Sequence, residues 1–61
     1  MEMFFVHFLS ADRTVTKEVL ASNPADAETK AAQLIAVDFP DHHWDDVVVN
    51  DVAKEKYLRE R

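Results

Sequence analysis

Residues 22–40 read SNPADAETKAAQLIAVDFP, and how they fold decides the rest of the chain. Asn23 is a favoured N-cap, and Pro24 suits the first helical position because its missing N–H would find no partner there. Asp26 stands where a capping-box acid belongs, near the positive end of the helix dipole and one turn ahead of Lys30. Ala27, Ala31, Leu34 and Ile35 recur at helical spacing and make one apolar stripe, with Pro24 at its edge. Asp38 would put a charge on that stripe, and Pro40 biases Phe39 away from helix. The spacing therefore predicts a helix from Pro24 to Val37, about 14 residues and about 21 Å long.

Upstream lie two candidate strands. Glu2–Ser10, EMFFVHFLS, is rich in aromatic and β-branched residues. Phe4, Val6 and Phe8 fall on one face, and Met3, Phe5 and Leu9 share the other with His7. A strand apolar on both faces belongs in the middle of a sheet. Arg13–Ala21, RTVTKEVLA, is more polar and suits an edge. Pairing Leu9 with Thr14 sets Phe8 against Val15, Val6 against Lys17 and Phe4 against Val19, so apolar residues meet except at Lys17, which can snorkel or guard the edge. A slip of one residue would scramble the pattern. Ala11-Asp12 is a poor two-residue turn in a chain without glycine, so a four-residue loop of the same register is expected.

Downstream, the polar loop DFPDHHWDD leads to a third strand over Asp46–Val52. Its core face is ambiguous between Val47/Val49 and Val48/Val52. A right-handed crossover from the second strand through the helix places the third beside the first. The sequence thus predicts an α+β fold in the order β-β-α-β: a three-stranded antiparallel sheet of order 2-1-3 with one helix on one face. Residues 1–61 form one domain, with 54–61 a charged tail that frays, extends the third strand, forms a helical turn or folds back through Tyr57 and Leu58.

Sixty-one residues are near the lower limit for folding without staples, and the chain has no cysteine. Hydrophobic residues at 48% supply enough for a two-layer core. No apolar run approaches a membrane span and no signal peptide is recognisable, so a soluble, cytoplasmic protein is expected. The net charge of −5 is uneven: residues 1–51 hold ten of the twelve acids but only Arg13, Lys17 and Lys30 as bases. Such a body disfavours direct nucleic-acid binding and suits contact with basic protein surfaces. The tail KEKYLRER holds the other four bases, interrupted by Glu55 and Glu60.

Asp38, Asp41, His42, His43, Asp45 and Asp46 are the residue types of a divalent-metal site, but their spacing fits no zinc or calcium motif. A solvated acidic loop is the expected reading, with no metal or other cofactor. Trp44 is expected to close one end of the core, or, if exposed, to anchor a partner-contact loop with Asp41, Asp45 and Asp46. Ser10, Ser22 and the threonines show no nucleophile–base pattern, and the glycine-free chain has no phosphate-cradling loop, so no catalytic residues are expected. One sheet face remains without a helix. Met3, Phe5, Leu9 and Leu20 should point that way and form an interface.

VLASNPADAETKAAQLIAVDF, residues 19–39, preceded by a hairpin and followed by a Val-rich strand, resembles a pattern met in very small phage proteins that take over host machinery. Phage inhibitors of bacterial RNA polymerase and compact anti-CRISPR proteins share the length and element order. The resemblance rests on Val19, Ala21, Ala27 and Ala31 as helix–sheet contacts. The arginines of the polymerase inhibitors' last strand have no counterpart in VVVNDV, so neither target nor binding residues carry over. The resemblance implies a non-enzymatic module that occupies a host protein surface, RNA polymerase or a CRISPR effector being candidate partners. The alternative reading is a homodimeric structural or regulatory module associating through the uncovered sheet face.

Overall fold

A computed structural model describes residues 1–52. The expectations for the tail lie outside the described residues. β1 (Glu2–Leu9), β2 (Thr14–Ala21), α1 (Pro24–Asp38) and β3 (Asp46–Asp51) follow in the predicted order. The sheet order is β2-β1-β3, both pairings antiparallel.

The hairpin register is the predicted one: Phe8 faces Val15, Val6 faces Lys17 and Phe4 faces Val19. Four residues connect the strands, closed by a hydrogen bond from Ser10 N–H to the Arg13 carbonyl at 2.9 Å. No described residue has positive φ, so the I′ turn that two-residue hairpins favour is not used. The Ser10 hydroxyl braces the loop against Asp12 and the Arg13 carbonyl.

Asn23 caps α1 through its side-chain oxygen, which accepts from the Asp26 N–H at 2.8 Å. Asp26 answers, but to the Ser22 N–H at 3.1 Å rather than to the cap residue itself. The helix runs one residue beyond the expected Val37, to Asp38. The Phe39 N–H still reaches the Ile35 carbonyl, and Pro40 ends the run.

Phe4, Val6, Phe8, Val19, Ala21, Ala27, Ala31 and Ile35 form the core. Alanines at the helix contact let its backbone come close to Val19 and Ala21. Each fully buried Phe contributes about 1.5–3 kcal/mol over its exposed state. Leu34, expected in the stripe, is instead 49% exposed. Ala27, Ala31 and Ile35 occupy the face over the sheet, which leaves Leu34 on the helix flank. The third strand's ambiguity is resolved by its pairing with β1. Val49 opposes Val6 and Val47 opposes Phe8, so both turn toward the core and Val48 turns away.

Candidate protein-binding surface

Alternation along β1 sends Met3, Phe5, His7 and Leu9 to the face opposite the helix, because Phe4, Val6 and Phe8 point inward. β2 adds Leu20 opposite Met3, Glu18 opposite Phe5 and Thr16 opposite His7. β3 adds Asn50 opposite Phe5, Val48 opposite His7 and Asp46 opposite Leu9. The expected interface residues Met3, Phe5, Leu9 and Leu20 therefore share one face, with Asp46 at its edge. Leu20 is 53% exposed and Val48 37%, while Met3, Phe5 and Leu9 are half-buried. The polar centre of the face is tied down: His7 Nδ1 and Thr16 Oγ1 lie 2.8 Å apart. The Phe5 and His7 rings stand at 6.2 Å.

The acidic loop divides. Asp45 N–H donates to the Leu9 carbonyl at 2.8 Å, and Asp46 accepts from the Val47 N–H at 2.9 Å, so both sit at the Leu9 end of the face. Asp41 is exposed and lies in the loop near the helix end. Trp44 turns to the helix layer, half-buried against Phe8 at 5.8 Å and Phe39 at 5.9 Å. It closes one end of the core, and the structure separates it from the apolar face.

Beside Trp44 the fold assembles three side chains from two loops. His42 Nε2 lies 2.9 Å from Ser10 Oγ and 3.6 Å from Asp12 Oδ1, and its ring stands 4.2 Å from Trp44. The Ser10 hydroxyl also lies within hydrogen-bond reach of the Asp12 carboxylate and the Arg13 carbonyl, and the direction of its bond with His42 Nε2 follows the imidazole tautomer. In a Ser-His-Asp triad the carboxylate holds the ring nitrogen remote from the serine, whereas here Asp12 lies on the same Nε2 side as Ser10. The cluster is a brace between the hairpin loop and the loop before β3. The Ser10 hydroxyl holds the Asp12 carboxyl below its ordinary pKa, and the nearby His42 and Arg13 add to the effect. Arg13 in turn lies over the Phe39 ring at 4.7 Å.

His42 and His43 have separate surroundings. His42 is inside the brace, and the His43 side chain is 89% exposed with Asp45 at 3.8 Å. Among the described residues no group of three or more His, Asp or Glu side chains is placed to hold a metal, and no described helix is long and apolar enough to cross a membrane. The bases of the described body are engaged: Lys17 with Asp38 at 2.6 Å, Lys30 with Asp26 at 3.2 Å, Arg13 with Phe39.

In comparisons with family models, curated proteins and solved structures, nothing matches this chain.

Proposed function

We propose that this protein is a non-enzymatic binding module whose sheet face, opposite the helix, seats a partner protein with an apolar patch rimmed by basic residues. The observation that carries the reading is the row of Met3, Leu20 and Val48 around Phe5 and Leu9 on that face. Leu20 is more than half exposed there. Exposed apolar side chains gathered on one face, here around a tied-down polar pair, mark a surface for protein contact. The rim chemistry selects the partner. Glu18 and Asp46 stand on the face, Asp45 bonds the Leu9 carbonyl at its end, and Asp41 is exposed in the same loop. Lys17 and Lys30 are paired with Asp38 and Asp26 and Arg13 lies over Phe39, so among the described residues the charge beside this face is negative. Complementary charge speeds encounter and excludes like-charged partners. Proteins that handle nucleic acid present such basic surfaces. With the resemblance to phage host-takeover proteins, this favours an inhibitor or modulator of host nucleic-acid machinery, RNA polymerase or a CRISPR effector among the candidates.

The test uses the full chain and its Leu20→Asp variant as parallel baits in bacterial lysate, followed by reconstitution of any captured protein from purified components. The expected partner is basic at its contact surface, its binding weakens as salt rises, and Leu20→Asp loses it while keeping the native circular-dichroism spectrum. A partner held equally by both baits, or one indifferent to salt, overturns the reading.

A further inference from the structure

The outer edge of β2 and the helix flank above it form a second surface, distinct from the sheet face. The Ser10 N–H to Arg13 carbonyl bond is in step with the Leu9–Thr14 register. In an antiparallel ladder directly opposed residues alternate between bonded and non-bonded pairs. The bonded pairs are therefore Phe8–Val15, Val6–Lys17 and Phe4–Val19. Thr14, Thr16, Glu18 and Leu20 then direct their backbone N–H and C=O groups away from β1. The helix shows the same direction independently, since Lys30 Nζ reaches over to the Leu20 carbonyl at 3.1 Å.

That reach also fixes which flank of α1 overhangs the edge. Lys30, Leu34 and Val37 follow one another along one side of the helix. The helix packs chiefly against β2, and beyond that strand Leu34 is 49% and Val37 80% exposed. Among the described residues no strand pairs with the outer edge of β2, and an apolar helix flank stands above it, as in a two-layer fold that could add one strand and one helix there.

We infer that a second copy of this chain fills that place, with β2 pairing antiparallel to β2 about a twofold axis at Lys17. A foreign strand would satisfy the edge but bring no helix to Leu34 and Val37. A second copy supplies both. Strands lie about 4.8 Å apart, so two helices seated toward β2 on either side of a shared edge come within a distance on the order of 10 Å, where side chains of neighbouring helices meet. The register follows from the same contacts. Lys30 reaches the Leu20 carbonyl and Asp38 meets Lys17 at 2.6 Å. The helix turns that carry Leu34 and Val37 therefore run along β2 from position 20 toward position 17, with Val37 next to Asp38 at that end. Centred there, Thr14 meets Leu20 of the other copy, Val15 meets Val19, and Thr16 meets Glu18. Centring on Glu18 would oppose two carboxylates. The two Lys17 side chains meet across the axis, each already neutralised by its own Asp38. The Leu20 carbonyl, with Lys30 on one lone pair, keeps the other for the Thr14 N–H opposite. The contact is isologous and closes as a dimer with a continuous six-stranded sheet. It does not depend on the proposed function, and it would join the two outer faces into one.

Sedimentation equilibrium of the full chain tests this, together with Thr16→Pro and the double variant Leu34→Glu/Val37→Glu. The N–H of Thr16 points away from β1, so proline there spares the backbone ladder of the hairpin and removes a backbone donor from the dimer. It also ends the Thr16 Oγ1 contact with His7, so the variant's native fold is checked by circular dichroism. Both altered helix positions are exposed in the single chain and tolerate charge. The expected result is a wild-type dimer at micromolar concentrations, weakened about tenfold or more by each variant. In mixed-labelled samples, intermolecular NOEs should join Val15 to Val19. A wild-type monomer up to millimolar concentration overturns the inference. So does a dimer that both folded variants leave intact, or one broken instead by Leu20→Asp with no Val15–Val19 contact between copies.

Discussion

Lys17 Nζ stands 2.6 Å from Asp38 Oδ2, tying the middle of β2 to the last residue of the helix. Lys17 occupies the core-facing row between Val15 and Val19, where a charge needs a way out. The stem follows the apolar surface and the ammonium emerges under the helix end, where the macrodipole also favours a cation. Because Asp38 is half exposed, solvent screening limits the pair's worth. Asp38→Asn should lower stability in urea unfolding by less than about 1 kcal/mol, and the difference should shrink in high salt. A loss several times larger, or one insensitive to salt, would show that Asp38 acts through something other than this pair.

The helix start responds to both mutation and pH. Removing the Asn23 cap by Asn23→Ala should cost about 1 kcal/mol, since the Asp26 N–H loses its acceptor. Asp26 has its pKa lowered, first by the Ser22 N–H and then by Lys30, and Asp12 has its own lowered by the Ser10 hydroxyl. Both carboxylates are favoured in the folded state. Their contribution is fully present above the unfolded aspartate pKa of about 3.9 and is lost as pH falls through the lower folded values. Stability should therefore drop on acidification below about pH 4, with a smaller drop in an Asp12→Asn/Asp26→Asn variant. Identical acid profiles for the two proteins would rule these groups out as contributors.

What could be read in the sequence follows from where alternation is unambiguous. Phe4, Val6 and Phe8 against Val15 and Val19 admit one register, so sheet order and hairpin pairing were legible. VVVNDV was not, because both of its faces are apolar; only the pairing of Val47 and Val49 with Phe8 and Val6 decides it. Leu34 was misplaced because helical spacing identifies a side but not its width. A helix lying toward β2 on a three-stranded sheet leaves that flank beyond the core. The meeting of Ser10, Asp12 and His42 had no sequence signal. Ser10 and His42 lie on separate loops that only the closed fold brings to 2.9 Å.

That brace predicts how the histidine pair behaves toward metal. His42 already shares its Nε2 with Ser10 and Asp12 and packs on Trp44, while His43 stands in solvent. Converging both on one ion would require breaking the brace. Zinc or nickel at modest excess should leave the melting temperature and the His42 resonances unchanged, since a ligand stabilises only by preferring the folded state. A rise in melting temperature that disappears in His42→Ala/His43→Ala would instead establish a site. His42→Ala alone should lower stability by about 1 kcal/mol, because Ser10 and Asp12 lose a partner.

The last prediction separates folding from binding on the sheet face. Leu20 and Phe5 lie on the same surface but differ in burial: Leu20 is 53% exposed at the β2 edge, and Phe5 is half-buried in the central strand. A charge at Leu20 meets solvent in the free protein, so Leu20→Asp should change stability by no more than about 0.5 kcal/mol. A charge at Phe5 must sit between Glu18 and Asn50 and displace packed ring surface, so Phe5→Asp should cost about 2 kcal/mol or more. In a dry contact with a partner both positions become buried, and both variants should abolish binding whatever their separate effects on folding. Denaturant unfolding gives the first comparison and titration calorimetry with the purified partner the second. Loss of binding in Phe5→Asp alone, in proportion to its unfolding, would mean that the face serves the core of this chain. Loss in the fully folded Leu20→Asp variant is what an interface requires.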